Sequence, residues 1–500
     1  MDPEQVLINE RIGKLKELKA LNVDAYPYKY SQTHHAEQIK KAFSHLKEHE
    51  KTNETVSIAG RLMTKRDMGK ASFATMTDQT GAIQIYANID NLGEQNYKLF
   101  RKLDLGDILG VKGIVFKTKT GEITVEAKEV TLLSKSLRPL PDKYHGIHDP
   151  EIKYRKRYLD LATEPKSKKI FVTRAKILEI MREFMKKNSF LEVETPILQS
   201  VYGGAAAKPF KTHCDAYDSD LFLSIAPELY LKKALVGGFE RVYEITKKFR
   251  NEGADRMHNP EHMTLEWYQS YADYNDGMKL FENLMKEIAM NLFGKLEFEY
   301  QGHKINLNKW KKIPLLDAIK EYLGEDVREV KTDAEAKKIA QKHGVKDINA
   351  VTKVNLPDEL MKLFREKLIQ PTFLIDYPVE MCPLAKISRK DSTKAEIFQP
   401  FVGGMELARA YSELNDPKIQ AEHFKEQEAE RKKGNKEAMP TDTDFVVALE
   451  HGMPPACGVG IGVERFVMLF SNSSTVRDVV MFPFMKPIVA ETPENKQKKA

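Results

Sequence analysis

Between Arg250 and Tyr268 the chain gathers cations, carboxylates, histidines and a phenol at close spacing. The letters RNEGADRMHNPEHMTLEWY supply Arg250, Glu252, Arg256, His258, Asn259, His262, Glu266 and Tyr268. Arginine and histidine around a loop suit a polyphosphate, because a guanidinium offers a phosphate two parallel hydrogen bonds. Carboxylates set behind them suit an amine. The plain alternative is a solvated hairpin with ordinary surface charge.

The elements that must position these groups are legible in the same stretch. Val242, Glu244, Thr246, Lys248 and Arg250 alternate with Tyr243, Ile245 and Phe249, which is the period of a strand. Gly, Asn and Pro between Asn251 and Glu261 predict a long loop. Alternation resumes with His262, Thr264, Glu266 and Tyr268 on one face and Met263, Leu265 and Trp267 on the other. The expectation is an antiparallel hairpin with Arg250, Glu266 and Tyr268 on its polar face.

FRNEG followed by HNPE resembles motif 2 of the class II aminoacyl-tRNA synthetases, and ELYLKKALVGGFERVYEI points to the lysyl branch. The resemblance implies an ATP site built from Arg250, Glu252, His258, Asn259, His262 and Arg465, with Arg250 and Arg465 as the catalytic cations. It implies a lysine pocket of Gly204, Glu228, Glu266, Tyr268, Arg409, Tyr411 and Glu413. At Glu228 the lysyl enzymes carry Glu where the aspartyl and asparaginyl enzymes carry Gln. A buried carboxylate needs a cationic partner, and the ε-ammonium of lysine supplies one.

The rest of the chain agrees. At 500 residues and 41% apolar it is long enough for two or three domains. No run of 18 apolar residues exists, so no membrane span is expected, and the charged N-terminus has no secretory apolar segment. Cys214, Cys382 and Cys457 are too scattered for a disulfide framework or a zinc cluster, and a reducing cytoplasm is the simplest setting. The net charge of +6 suits a nucleic-acid partner without demanding one.

Leu7, Ile8, Ile12, Leu15, Leu18 and Leu21 recur at helical spacing among basic residues, in a helix that lies either along RNA or on its own domain. Five alternating runs between Thr55 and Leu133, with turns at Asp78-Gln79-Thr80-Gly81 and Thr120-Gly121, predict an OB-fold barrel. Phe73 and Gln84 fall on one exposed face, a place where a base can stack. The stretch GRLMTKRDMGKASFATMTDQTGAIQIY resembles the anticodon-binding domain of the lysyl, aspartyl and asparaginyl enzymes. That implies anticodon contacts from Phe73, Gln84 and Glu122, with Arg61 nearby.

In the second half, Phe171–Leu198 reads as a long amphipathic helix and a strand ending in Thr195-Pro196. It resembles motif 1, which implies a homodimer. GGAAAKPF is a small-residue loop where backbone can approach a ligand. GVGIGVERFVMLFSN resembles motif 3, and without a third, later glycine it is a weak dinucleotide fingerprint. EHGMPPACG and TVRDVVMFPFMKP also look lysyl.

Departures from the family's pattern cluster near the site. In FQPFVGGMELARAYSELND, Glu406 matches a Mg²⁺ ligand and Glu413 a lysine-pocket residue, but the first metal-ligand position is Gln399. A lysine-contacting Asn position is Arg409, Tyr411 keeps the pocket aromatic, and an adenine-stacking Phe position is His262. The first two changes raise the site's charge by about two units at neutral pH.

The expected fold class is α+β. A helix and five-stranded OB-fold occupy 1–140, a linker 141–160, and a class II catalytic domain 161–490, an antiparallel sheet flanked by helices. That domain carries a mostly helical insertion over about 275–368, and a disordered tail follows at 491–500. The expected activity is ATP- and Mg²⁺-dependent lysylation of tRNA(Lys) by a cytoplasmic homodimer without membrane contact. An aspartyl or asparaginyl enzyme, a protein-lysylating paralogue and a catalytically silent RNA-binding paralogue are the competitors. The last two are disfavoured by the OB-fold and by the retention of Arg250, His258, Glu406 and Arg465.

Overall fold

Alternation between residues 51 and 134 closes into a barrel. In the computed structural model, which describes residues 2–141, 147, 149–432 and 438–488, the chain divides into two compact units, 1–165 and 166–500. The first unit holds β1 (Lys51–Asp67), β2 (Ala71–Thr77), β3 (Ala82–Asn88), β4 (Ile108–Lys117) and β5 (Ile123–Ser134), in the closed order β1-β2-β3-β5-β4. Val56, Ile58, Ala74, Met76, Ile83, Ile85, Val111 and Val125 fill its interior. The turn after β2 is made by Asp78, whose carboxylate accepts from the backbone N–H of Thr80 and Gly81.

The basic N-terminal helix (Pro3–Ala20) packs on its own domain. Leu18 is buried in the barrel's apolar cluster, Arg11 donates to the carbonyls of Ser136 and Arg138, and Lys14 pairs with Asp104. Much of the segment read as a linker is helical, in Pro150–Arg155 and Arg157–Thr163, and it falls with the first unit.

The second unit opens with the helix Pro165–Lys187 and the short strand β6 (Leu191–Glu192). A three-stranded sheet follows: β7 (Leu198–Gln199), β8 (Lys211–Cys214) and β9 (Ser219–Leu223). Next come the helix Glu228–Val236 and the hairpin β10 (Arg241–Phe249) and β11 (Glu261–Ser270), with its loop at 250–260. After the helix Tyr274–Phe293, β12 (Glu297–Tyr300) and β13 (His303–Asn306) form a separate hairpin. The remaining strands are β14 (Lys311–Pro314), β15 (Thr372–Pro378), β16 (Lys394–Val402), β17 (Met405–Glu406), β18 (Ala408–Ser412) and β19 (Ala456–Gly462).

The main sheet runs β14-β15-β16-β18-β19-β11-β10-β6, with β17 on β16. Its interior pairs are antiparallel, and the outermost pairs, β14 with β15 and β10 with β6, are parallel. Residues 275–368, read from the sequence as mostly helical, thus also supply a hairpin and an edge strand. Their first helix carries Met278, Phe281, Leu284 and Met285 into the main apolar cluster.

That cluster explains why the hairpin has two buried faces. Tyr243, Leu265 and Trp267 face the helices, together with Ile177, Met181 and Phe184. The opposite, polar face is covered in its turn, and Glu244, Lys248, Glu266 and Tyr268 are buried. No helix among the described residues is long and apolar enough to cross a membrane. Cys214, Cys382 and Cys457 are unpaired thiols. The tail at 491–500 lies outside the described residues.

Candidate active site

Strand register sets the polar side chains in rows across the sheet. One row runs Glu244, Glu266, Gly460, Arg409 through β10, β11, β19 and β18. Its neighbour runs Val242, Tyr268, Gly458, Tyr411. On the other side lie Thr246, Thr264 and Gly462, then Lys248 opposite His262, with Arg250 just beyond the strand end. The alternate glycines leave room above the backbone. A Cβ at Gly458 would collide with Glu413 Oε1 and Tyr268 Cε1, and one at Gly460 would touch Glu266 at 3.4 Å.

The helix Glu228–Val236 covers these rows and begins with Glu228 itself. Glu228 and Lys232 are one helical turn apart, so both point the same way, and both are buried. The Lys232 ammonium donates to Glu228 Oε1 at 2.7 Å and lies 2.5 Å from Glu413 Oε2. That second contact is an ion pair at hydrogen-bonding distance. Gly204, in the left-handed region at φ +82°, presses on the same point: a Cβ there would stand 2.8 Å from Glu228 Cβ.

Burial dominates the electrostatics. It pushes the Glu266 carboxyl up to about 8; Glu228 adds to the effect, and Lys248 and Arg250 oppose it. Burial likewise raises Glu413 to about 8, opposed by Lys232 and reinforced by Glu228. Burial works against the Lys232 ammonium too, yet Glu228 and Glu413 hold it above the ordinary lysine value. Buried carboxylates in such excess over the cations touching them call for a cationic ligand.

The other end of the rows is cationic. Arg250 Nε is buried without a partner. Burial, then Arg250 and Arg465, lower His262 to about 3, so its ring is neutral at pH 7. Arg465, in the helix Val463–Ser471, donates to the Glu406 carbonyl at 2.8 Å. In the loop, Asp255 accepts from the backbone N–H of Met257 and His258 and from the His258 ring. Glu252 receives the Lys208 N–H at 3.3 Å, Asn259 donates to the Glu261 carbonyl, and Arg256 is exposed. Arg250, His262 and Arg465 therefore converge, while Glu252 and Asn259 serve the loop's own shape.

Of the two expected metal ligands, Gln399 does not fit a hard cation, which leaves Glu406 as the one carboxylate of the pair. The Tyr377 hydroxyl donates to Gln399 Oε1, and Gln399 Nε2 donates to Glu406 Oε1 at 3.1 Å. Gln399 thus spends its oxygen on Tyr377 and turns an amide nitrogen, which cannot ligate a hard cation, toward Glu406. Arg409 is half-buried beside them, 6.0 Å from the Tyr377 ring centre. Among the described residues no group of three His, Cys, Asp or Glu is placed to hold a metal.

The barrel carries a second candidate surface. Arg66, Phe73, Tyr86 and Glu126 form one outward row, and Thr64, Thr75, Gln84 and Thr124 the next. Phe73 and Tyr86 have ring centres 4.8 Å apart, with Phe116 6.0 Å beyond Tyr86, and Gln84 Oε1 accepts from Thr124. Glu122 is exposed just ahead of β5. Arg61 lies one row past Gln84 with its guanidinium on the Gly106 carbonyl, whereas Arg66, passed over in the sequence, stands exposed opposite Phe73.

A family model described as tRNA synthetases class II (D, K and N) matches residues 149–486, and one described as an OB-fold nucleic acid binding domain matches 56–133. The lysine–tRNA ligase of Carboxydothermus hydrogenoformans is 49% identical over 486 residues, covering 96% of this chain and 98% of the relative. Those of Pelotomaculum thermopropionicum and Clostridium novyi are 48% and 47% identical, covering 96% of this chain and 95% and 94% of the relatives. The chain belongs to the lysine–tRNA ligase family.

For a lysine–tRNA ligase, three buried side chains stand out that motif reading passed over. Glu244 accepts from the backbone N–H and the hydroxyl of Thr195, fixing the turn before Pro196. Lys248 donates to Ser224 Oγ, and burial lowers its pKa against the pull of Glu244 and Glu266. Lys232 joins Glu228 to Glu413. Its signal was in the letters ELYLK, a Glu–Lys pair at the spacing of one helical turn.

Proposed function

We propose that this site activates L-lysine with ATP and transfers it to the 3′-terminal adenosine of tRNA(Lys), for translation. One observation carries the reading: the buried carboxylates Glu228, Glu266 and Glu413 lie on the same sheet surface that ends in the unpartnered cation Arg250. Lysine bound with its ammonium groups among the carboxylates directs its own carboxylate toward Arg250. That carboxylate attacks the α-phosphorus of ATP, a new C–O–P linkage forms, and the bond to the β-phosphate breaks to release pyrophosphate. The ribose 3′-hydroxyl of tRNA then attacks the adenylate carbonyl, and AMP leaves with the bridging oxygen.

The side chains contribute position and charge. Arg250 lies against the α-phosphate, His258 and Arg465 meet the outer phosphates, and the neutral His262 ring offers adenine a flat face. Tyr268 and Tyr411 wall the lysine stem. Mg²⁺ accompanies ATP, with Glu406 the one carboxylate offered to it at this position. Phe73 and Gln84, with Tyr86 and Phe116, receive the anticodon on the barrel. The working form is a cytoplasmic homodimer, its motif 1 helix and strand at the interface. The exposed Val172, Leu191 and Leu198 on those elements support the pairing.

An acidic or amide side chain brings no second positive charge to three buried glutamates, which argues against the aspartyl and asparaginyl alternatives. The test is ATP–pyrophosphate exchange with lysine, ornithine, arginine, aspartate and asparagine at several Mg²⁺ concentrations. Exchange with lysine alone is the expected result, and exchange with another member of the panel, or with none, would overturn the reading.

A further inference from the structure

We propose that Lys232 is the fixed counter-ion of the amino-acid pocket: it offsets one of three buried glutamates and leaves a deficit of two positive charges, the number a lysine substrate brings. The inference rests on the lysine reading above and adds a positioning residue, one acting through Glu228 and Glu413, that also sets which substrate charge is accepted.

The geometry comes first. Lys232 is inaccessible to solvent, 2.7 Å from Glu228, 2.5 Å from Glu413, and 6.0 Å from the Phe445 ring centre. Two carboxylates brought together without a cation between them share a proton or move apart. Lys232 favours the ionised form of Glu413 against the effect of burial and holds its carboxylate at one place in the pocket.

The other nearby charges are paired elsewhere or lie at the far end of the rows. Glu244 is hydrogen-bonded to Thr195, and Lys248 lies 3.9 Å from Glu244 and donates to Ser224. Arg409 sits by Tyr377 on the Glu406 side, and Arg250 stands at the phosphate end. What remains is Glu228, Glu266 and Glu413 against Lys232, which once the carboxyls ionise on lysine binding is three negative charges to one positive. The α- and ε-ammonium groups of lysine close that balance. An amino acid with a neutral side chain leaves one buried carboxylate uncompensated, which is costly.

The balance makes a prediction that a merely structural Lys232 does not. Removing Lys232 leaves a deficit of three, and removing one carboxylate as well returns it to two. The experiment is lysine-dependent ATP–pyrophosphate exchange on the full chain between pH 6.5 and 9.5, resolving kcat, KM for lysine and KM for ATP. Wild type is measured first, and absent exchange there counts against the lysine reading, not against Lys232. Lys232→Met is expected to raise KM for lysine about 100-fold, with KM for ATP within about twofold, since one member of a buried ion pair is lost. Its acid limb should move to higher pH, because Glu413 loses the ammonium that opposes the effect of burial.

Lys232→Met combined with Glu413→Gln should regain at least about tenfold of the lost lysine affinity. Should Lys232→Met fail to fold, a folded double variant that still takes lysine supports the proposal. A KM for lysine within about threefold of wild type in Lys232→Met overturns it, as does a double variant as impaired as the single one, or unfolded.

Discussion

Tyr268 and Tyr411 occupy one cross-strand row with Gly458 between them. Tyr268 is buried and Tyr411 partly so, and the pKa of each is raised first by burial and then by Glu228. They stand on either side of the only backbone in that row without a side chain, so the pocket floor is glycine.

A methyl group at that floor has nowhere to go. Gly458→Ala would meet Tyr268 and Glu413 at once, and lysine-dependent exchange should fall about 100-fold, chiefly through KM for lysine. Gly462→Ala meets only the Arg465 stem at 3.8 Å and should stay within about threefold. Steady-state exchange on both variants, with a thermal melt to confirm folding, separates the two.

Lysine binding should release protons. Glu266 and Glu413, each at about 8, are largely protonated at pH 7 in the empty pocket and must ionise to meet the ammonium groups. Affinity therefore rises with pH through about 8, until the α-ammonium of lysine, the weaker base of its two amines, begins to lose its proton. Calorimetry of lysine binding at pH 7 in buffers of different ionisation enthalpy should show net proton release, and at pH 9 much less. Equal heats across buffers at pH 7 would remove the shifted carboxylates from the pocket.

Arg409 stands beside the hydrogen-bonded Gln399–Glu406 pair, and its permanent charge acts on Glu406. Arg409→Asn removes that charge. The Mg²⁺ concentration giving half-maximal exchange should rise about threefold or more, and Gln399→Glu added to it should bring the requirement partly back. A Mg²⁺ titration unchanged by Arg409→Asn would show that the arginine plays no part in neutralising the phosphates.

Phe73 and Tyr86 form a tilted ring pair on the barrel's outer face. Base–aromatic stacking is worth about 1–3 kcal/mol, so Phe73→Ala should weaken tRNA binding by about ten- to a hundredfold while leaving lysine-dependent pyrophosphate exchange unchanged. Arg66→Ala should weaken it less, and Arg61→Ala, whose guanidinium is engaged with Gly106, should act through the barrel's stability. Filter binding of tRNA beside a pyrophosphate-exchange assay distinguishes these cases.

Local pattern was enough for much of this molecule. Period-two alternation located the β10–β11 hairpin and put Glu266 and Tyr268 on one face, because successive side chains of a strand must point to opposite sides. The same rule located the barrel strands and put Phe73 and Gln84 outside. Glycines at 458, 460 and 462 announced a bare strand, and the motif letters named the family. Tertiary structure alone decided how those local faces were used. Which strands neighbour β11 is a matter of register over nearly two hundred residues of intervening chain, and only that register brings Gly458 under Tyr268 and Glu413 over Lys232. It also decided that the hairpin's polar face is buried, which turns ordinary carboxylates into groups near 8 and a surface-type Glu–Lys pair into the counter-ion of a pocket. Gln399 shows the same division: the sequence reports an amide in place of a carboxylate, and only the fold reports that Tyr377 has claimed its oxygen.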